Sequence, residues 1–323
     1  MKAVFLGTLA TSQAAPITGF IASDIRTELL DGGDPVLLAA ALADADIVLT
    51  GAWRRGYPPA PRLRLVQVPL AGTDGIDVSA LPKGVTLCNA YGHGPALGEF
   101  AVMMMLAWRH RLFEIATSFR AGSWYWSPTV GGPTRGEIGG QTVGVVGLGH
   151  IGQEVAARAA ALGCRVLAAN RTARLAPPAV ERVFPWADLD RMLGECDIVV
   201  LSCALTPETT GLINERRLAA MKRSAFLINL ARGPIADEDA LYDALRDGTI
   251  AGAALDTWWR YPSAEDREPR PSRHPLHELP NVIMTPHCSP RTDGTIERRS
   301  RDIARNIDRF VRGEPLANVV ATT

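Results

Sequence analysis

The chain has 323 residues, enough for two compact domains with separate cores. Hydrophobic residues make up 47% and charged residues 21%, the balance of an ordinary globular protein. Lys+Arg and Asp+Glu are 34 each, a formal charge of zero that argues against a nucleic-acid or membrane-surface partner.

The opening "MKAVFLGTLATSQ" reads as a β-strand rather than a signal peptide. "FAVMMMLAW" is about half the ~18 apolar residues that a membrane span needs. "KAVFLG", "ADIVLTG", "LRLVQVP" and "VTLCNA" read as strands of a first lobe. In "YGHGPALGEFAVMMMLAWRHR" the Gly/Pro-rich start reads as a hinge, and Pro95 suits the first turn of a long helix. From Gln141 a second series begins with strand "TVGVVG", helix "HIGQEVAARAAAL" and strand "CRVLAA". Ile151, Val155 and Ala159 recur every four residues there and share one buried face. The alternation continues through "CDIVVLSC", "INERRLAAM", "SAFLINLA", "EDALYDALRDG", "IAGAALD" and "NVIMTPH". The C-terminal "GTIERRSRDIARNIDRFVRG" is a helix with Ile296, Ile303, Ile307 and Phe310 inward and its arginine run solvated.

This alternation is the pattern of βαβ units, so the expected fold class is α/β with doubly wound parallel sheets. The expected division is 1–96 with 291–323 as one lobe and 97–290 as the other. Cys88, Cys164, Cys196, Cys203 and Cys288 are scattered and odd in number, with no CxxC pair. No disulfide framework or metal site is expected, and a reducing cytoplasm fits.

"VGVVGLGHIG" sets Gly147, Gly149 and Gly152 as G-x-G-x-x-G between a strand and a helix. In that context the glycines serve, in turn, a tight turn, the close approach of pyrophosphate, and helix–strand packing. The helix N-terminus at His150 and Ile151 then offers N–H groups and partial positive charge to phosphates. A carboxylate about 20 residues further on would grip the ribose 2′-OH of NAD. Instead Asn170 stands 18 residues after Gly152, followed by Arg171 and Thr172. A missing acid beside a cation points to NADP, with NAD as the alternative if Arg171 only stacks on adenine.

From "GLGHIG" onward the chain resembles the D-2-hydroxyacid dehydrogenase family, which includes glyoxylate/hydroxypyruvate reductases and formate and phosphite dehydrogenases. The most specific segments are "LTPETTGLINERRLAAMK", "INLARGPIADEDALYDAL", "GTIAGAALD" and "ELPNVIMTPH". The resemblance implies a Rossmann cofactor domain inserted in a flavodoxin-like substrate lobe, and a homodimer. It implies hydride transfer between a nicotinamide cofactor and a small 2-oxo or 2-hydroxy acid. Two alternatives stay open: oxidation of a small anion of the formate or phosphite kind, or a cofactor-sensing binding protein of the same fold.

By resemblance Arg232 and His287 are catalytic. A guanidinium can grip a carboxylate and polarise the 2-oxo group, and an imidazole titrates where it can pass the hydroxyl proton. Asp256 matches the residue that holds the nicotinamide carboxamide. Cys203, Thr206 and Leu230 fall on strand ends near the cofactor, and Ser289 replaces a frequent glycine. "LAGTDGID" resembles the carboxylate cradle, giving the amides of Ala71 and Gly72, with Leu70 where glycine is commoner. Of the histidines without a matching role, His93, His274 and His277, the first is expected nearest to substrate. Trp258 and Trp259 are expected to line the substrate wall.

The family usually carries a glutamate five residues after the aspartate, followed by proline, to stabilise the imidazolium. Counting from Asp256 gives Tyr261 and then Pro262. A second register takes Glu268-Pro269, 19 residues before His287. Tyr261 is the preferred reading because it keeps the spacing from the strand end; Glu268 is the alternative.

Overall fold

In the computed structural model, which describes residues 1–172, 175–263 and 265–323, the chain divides into two compact units. One comprises Met1–His93 with Arg291–Thr323, the other Gly94–Pro290. The first boundary falls after His93 rather than after Ala96, because the long helix begins at Gly94, ahead of its proline.

In the first unit β1 (Lys2–Leu6) is buried along its whole length, as "KAVFL" requires of a central strand. Short helices α1 (Thr8–Thr11) and α2 (Ala14–Thr18) lead to β2 (Arg26–Leu30). Helix α3 (Pro35–Ala43) starts on Asp34, whose carboxylate accepts the Val36 N–H at 2.8 Å, with proline in the first turn. Strands β3 (Ile47–Thr50), β4 (Leu65–Gln67) and β5 (Thr86–Cys88) complete a parallel sheet in the order β5-β4-β3-β1-β2.

The second unit opens with α4 (Gly94–Arg109) and α5 (Leu112–Arg120). Then come β6 (Thr142–Val146), α6 (His150–Ala161), β7 (Arg165–Asn170), β8 (Arg182–Pro185), α7 (Leu189–Glu195) and β9 (Ile198–Leu201). Helix α8 (Glu215–Ala220), β10 (Phe226–Asn229), α9 (Glu238–Arg246), β11 (Gly252–Leu255) and β12 (Val282–Met284) follow. All neighbours in the sheet β12-β11-β10-β9-β6-β7-β8 are parallel. The order reverses at β6, and ligands of such sheets bind beyond the strand C-termini at that reversal. Val155 and Ala159 of α6 are fully buried against this sheet, with Ile151 half-buried beside them.

The chain returns to the first unit as α10 (Asp293–Arg312), capped by Thr292, and β13 (Val319–Thr322), which pairs antiparallel with β5. Ile303 and Ile307 are buried, while Ile296 and Phe310 are partly so. The arginine run is solvated except for Arg299, which is 8% exposed, burial lowering its pKa to about 10. Its Nε donates to Tyr91 O at 3.2 Å, a backbone contact that hydrophobic spacing cannot reveal. Among the described residues no helix is long and apolar enough to cross a membrane.

Candidate active site

In the second unit the three glycines of the turn after β6 act in separate ways. Gly147 has φ +96°, and a Cβ there would lie 2.6 Å from the Cys203 backbone. A Cβ on Gly152 would lie 2.1 Å from Gly147 O, so only glycine lets α6 pack onto its strand here. At Gly149 a Cβ would meet nothing within 4 Å, so this glycine leaves the approach open. Side chains of Asn214, Asp237 and Thr292 cap α8, α9 and α10, whereas α6 begins on Gly149 without a side-chain cap. Its first N–H groups, from His150 and Ile151 on, have no i−4 partner within the helix. Such a start is fitted to a diphosphate.

Asn170, at the end of β7, accepts the Leu148 N–H at 3.2 Å and donates to Thr172 O at 2.8 Å. Its amide braces the glycine turn, and Arg171 next to it is exposed. Across the turn, Ser202 Oγ donates to Gly147 O at 2.7 Å. Burial raises the Cys203 thiol to about 11, so it stays protonated near neutrality. The Thr206 hydroxyl donates to Glu208 at 2.6 Å, the main cause of that carboxyl's lowered pKa, with Arg171 adding a smaller electrostatic pull. The Leu230 side chain is core, 3% exposed.

The ends of β10, β11 and β12 gather the other candidates of this unit. At the end of β10, fully buried Asn229 holds both sides of the loop that follows. Its Oδ1 accepts the Ala231 N–H at 3.1 Å and its Nδ2 donates to Arg232 O at 2.9 Å. A Cβ on Gly233 would fall 2.3 Å from the Trp258 carbonyl carbon, so this loop lies directly on the one after β11. Arg232 is half-buried.

After β11, Tyr261 reaches the imidazole: its Oη stands 2.9 Å from His287 Nδ1 and accepts the Trp258 N–H at 3.1 Å. Glu268 is exposed and its N–H donates to Asp266, so the second register does not bring a carboxylate to the ring. Tyr261 is 44% exposed, but its hydroxyl end is turned inward, and burial there raises its pKa above the ordinary phenol value. His287 itself has φ +57°, an uncommon conformation for a non-glycine residue. Burial pushes its pKa below 6.5; the Asp256 carboxylate works against this and the Arg232 cation reinforces it. Asp256, 1% exposed, accepts hydrogen bonds from Thr285 Oγ1, Cys288 N and Ser289 N. The buried hydroxyls of Thr257 and Ser289 beside it have no partner among the described residues, polar atoms that a bound carboxamide could satisfy.

Trp258 and Trp259 pack on the core of this unit: Trp258 is 6% exposed, its Nε1 donating to Thr285 O, and Trp259 is partly buried, bonded to Ala236 O. Their size serves to brace the loops. His274 lies against Asp239 and stacks on Tyr242, and His277 neighbours Glu278.

In the first unit, Leu70, Ala71 and Gly72 form a half-exposed loop after β4. Leu70 O accepts the Ala90 N–H, and Ala71 O accepts from Asn89 Nδ2 at 2.7 Å. Among the described residues no hydrogen bond from the Ala71 or Gly72 amide is formed, as an anion cradle requires. His93 is 6% exposed and stacks on Tyr91 with ring centroids 6.3 Å apart.

Sequence reasoning passed over Asn229, Gly233 and Thr285. The first two stand in "INLARGP" beside the arginine and the third in "TPH" beside the histidine, so the motifs contained them without disclosing what they do.

The family model of the D-isomer specific 2-hydroxyacid dehydrogenase NAD binding domain matches residues 102–289. A glyoxylate reductase of Thermofilum pendens is 38% identical over 263 residues, covering 79% of this chain and 74% of that protein. A glycerate dehydrogenase of Methylorubrum extorquens is 35% identical over 268 residues, covering 80% and 79%. The crystal structure of a D-isomer specific 2-hydroxyacid dehydrogenase family protein from Aeromonas salmonicida matches with a TM-score of 0.84 over 99% of this chain and 98% of that one. At 24% identity this last likeness is one of fold.

Proposed function

The chain belongs to the D-isomer specific 2-hydroxyacid dehydrogenase family, as an NAD(P)-dependent oxidoreductase acting on small 2-oxo and 2-hydroxy acids, and we propose that Arg232 and His287 are its catalytic pair. The carrying observation is the imidazole at the end of β12, its Nδ1 held 2.9 Å from Tyr261 Oη with the Arg232 cation close enough to act on its pKa. With Nδ1 engaged, Nε2 is the atom left to pass a proton.

In this reading Arg232 grips the substrate carboxylate and polarises the 2-oxo group by paired hydrogen bonds. His287 as imidazolium gives the Nε2 proton to the forming hydroxyl, and as neutral imidazole takes it back in oxidation. Gly147, Gly149, Gly152 and the start of α6 would hold the diphosphate, and Asp256, Thr257 and Ser289 the carboxamide, of a nicotinamide cofactor that would supply or accept the hydride when bound. The loop of Leu70, Ala71 and Gly72 cradles the substrate carboxylate, and Leu70 favours a substrate as small as glyoxylate.

NADP is the preferred cofactor. Asn170 offers no carboxylate and is occupied with the glycine turn, and exposed Arg171 beside it would offer a cation to a ribose 2′-phosphate. Arg171→Ala should weaken NADPH binding by about 1–3 kcal/mol, the scale of a charge-assisted hydrogen bond, and NADH far less. Equal losses for both would overturn the preference.

The protein acts as a homodimer in the cytoplasm, in line with a solvent-exposed apolar arm at α5 and five free cysteines. The primary test is a panel of 2-oxo acids with NADPH and NADH, followed by loss of reduced-nicotinamide absorbance. Arg232→Ala and His287→Ala should each lower turnover at least ~100-fold while cofactor binding persists. Near-normal turnover in His287→Ala would remove this histidine from the mechanism.

A further inference from the structure

Strand β4 ends on a buried amide that packing alone does not call for. Gln67 is 1% exposed, in a strand whose other two side chains, Leu65 and Val66, are core hydrocarbons. Its Nε2 donates to Asn89 O at 3.0 Å and to Val68 O at 3.2 Å, and its Oε1 accepts from Asn306 Nδ2 at 2.8 Å. Asn306 of α10, 3% exposed, is held in turn by the Ala317 N–H, which donates to its Oδ1 at 2.8 Å. A hydrocarbon of similar shape fills such a place at little cost in stability, whereas a satisfied buried network fixes one arrangement.

What this network fixes lies one peptide further on. The Asn89 carbonyl gripped by Gln67 shares a planar peptide with the Ala90 N–H, so holding the oxygen sets the direction of that N–H. The Ala90 N–H donates to Leu70 O at 2.9 Å, and Asn89 Nδ2 donates to Ala71 O at 2.7 Å. Leu70 O shares its own plane with the Ala71 N–H, and Ala71 O with the Gly72 N–H. Two successive amides are thereby turned away from the Asn89–Ala90 segment, and among the described residues neither donates a hydrogen bond. Successive free N–H groups of this kind form an anion-binding concavity. The Asn89 amide serves this grip rather than the fold, since its Oδ1 is buried with no partner among the described residues, which destabilises.

We propose that Gln67 is a positioning residue for substrate, holding the peptide between Asn89 and Ala90 so that the Ala71 and Gly72 amides are aimed at the substrate carboxylate. Asn306 carries the support back to α10. This rests on the reading of the loop of Leu70, Ala71 and Gly72 as the carboxylate cradle.

The test compares wild type, Gln67→Met, Asn89→Ala and the double variant. KM and kcat for a 2-oxo acid are measured together with the dissociation constant of oxamate, which carries the same carboxylate and carbonyl, on the enzyme with reduced cofactor bound. Gln67→Met keeps the length of the side chain and removes the amide. It should raise KM and the oxamate dissociation constant by about 3–10-fold, the scale of one hydrogen bond. Its kcat should change by less than about 2-fold and cofactor affinity should hold, the split expected of lost substrate binding. The double variant should fall short of the product of the two single effects, because both act through one peptide.

A Gln67→Met enzyme with a lowered thermal midpoint but unaltered KM and oxamate affinity would overturn the proposal, leaving Gln67 a structural residue. Single effects that simply multiply would overturn it too. If Gln67→Met does not fold, Gln67→Leu takes its place under the same criteria. A wild type that neither turns over a 2-oxo acid nor binds oxamate fails the cradle reading and the proposal with it. A wild type that does both, beside unaltered variants, fails the proposal alone.

Discussion

A phenol at Nδ1 differs from a carboxylate in the protonation states it can serve. With the Trp258 N–H on one lone pair, Tyr261 Oη can donate its own proton to neutral Nδ1, or accept Nδ1–H from the imidazolium. A carboxylate can only accept, and it adds the charge that favours imidazolium. In the proposed mechanism reduction requires imidazolium, so kcat/KM in that direction should be full below the His287 pKa and fall as pH rises through it. Because that pKa is lowered from 6.5, the limb should lie on the acid side of neutrality. Tyr261→Glu should move the limb to higher pH. Tyr261→Phe should cost about 2–10-fold in turnover, one neutral hydrogen bond, and Glu268→Ala should be nearly silent. A crippled Glu268→Ala with a benign Tyr261→Phe would reverse this assignment. The tyrosine was legible because spacing from a strand end is preserved by the sheet, even where the loop beyond it is longer. That Asp256 commits its oxygens to Thr285, Cys288 and Ser289 was not legible, since those bonds join residues 29–33 positions apart.

Among the elements, the meeting of the loops after β10 and β11 depends on one missing side chain. A Cβ at Gly233 would sit 2.3 Å from Trp258 C, 2.4 Å from Trp258 O and 2.8 Å from Trp259 N. These are backbone atoms that cannot swing aside. Gly233→Ala should therefore destabilise the protein by about 1–3 kcal/mol, the usual cost of overpacking, seen as a lowered thermal midpoint. The displaced loop carries Arg232 on one side and Tyr261 on the other, so kcat should drop by ~10–100-fold in the fraction that folds. Wild-type stability and turnover in this variant would show that the loops can separate without consequence. The central strands were visible as continuous apolar runs because both faces are covered. Strands β2, β8 and β13 were not: "RTELL", "RVFP" and "VVAT" are short edge strands, partly exposed, whose pairing depends on a neighbour rather than on their own pattern. Helix α3 escaped for a related reason, being apolar all round with Val36 and Leu37 exposed, so it has no periodicity to read.

For the whole molecule, the alternation of strands and helices disclosed two α/β units but left silent what covers the outside of the second. Helix α5 has nine residues and buries none of them, with Leu112, Phe113 and Phe119 more than half exposed. A short helix in water is marginal without an apolar face to pack against. The segment after it exposes Trp124 at 60%, Tyr125 at 61% and Val130 at 62%. Beside it lies an apolar groove of about 710 Å³, lined by Met103, Leu106, Ala107, Leu112, Ala161 and Leu162. One surface thus carries both protruding rings and a groove, the self-complementary arrangement that a two-fold dimer needs. A whole aromatic side chain covers about 150–250 Å² and these are little more than half exposed, so together they supply a part of the roughly 800 Å² per partner of a standard interface, with the groove adding the rest. Light scattering at micromolar concentration should give twice the chain mass of 34.7 kDa. Phe113→Asp with Phe119→Asp should place charges in that interface and return a monomer, with the circular dichroism of the two sheets retained. A wild-type monomer, or a double variant that stays dimeric, would mean that α5 is not what joins the copies.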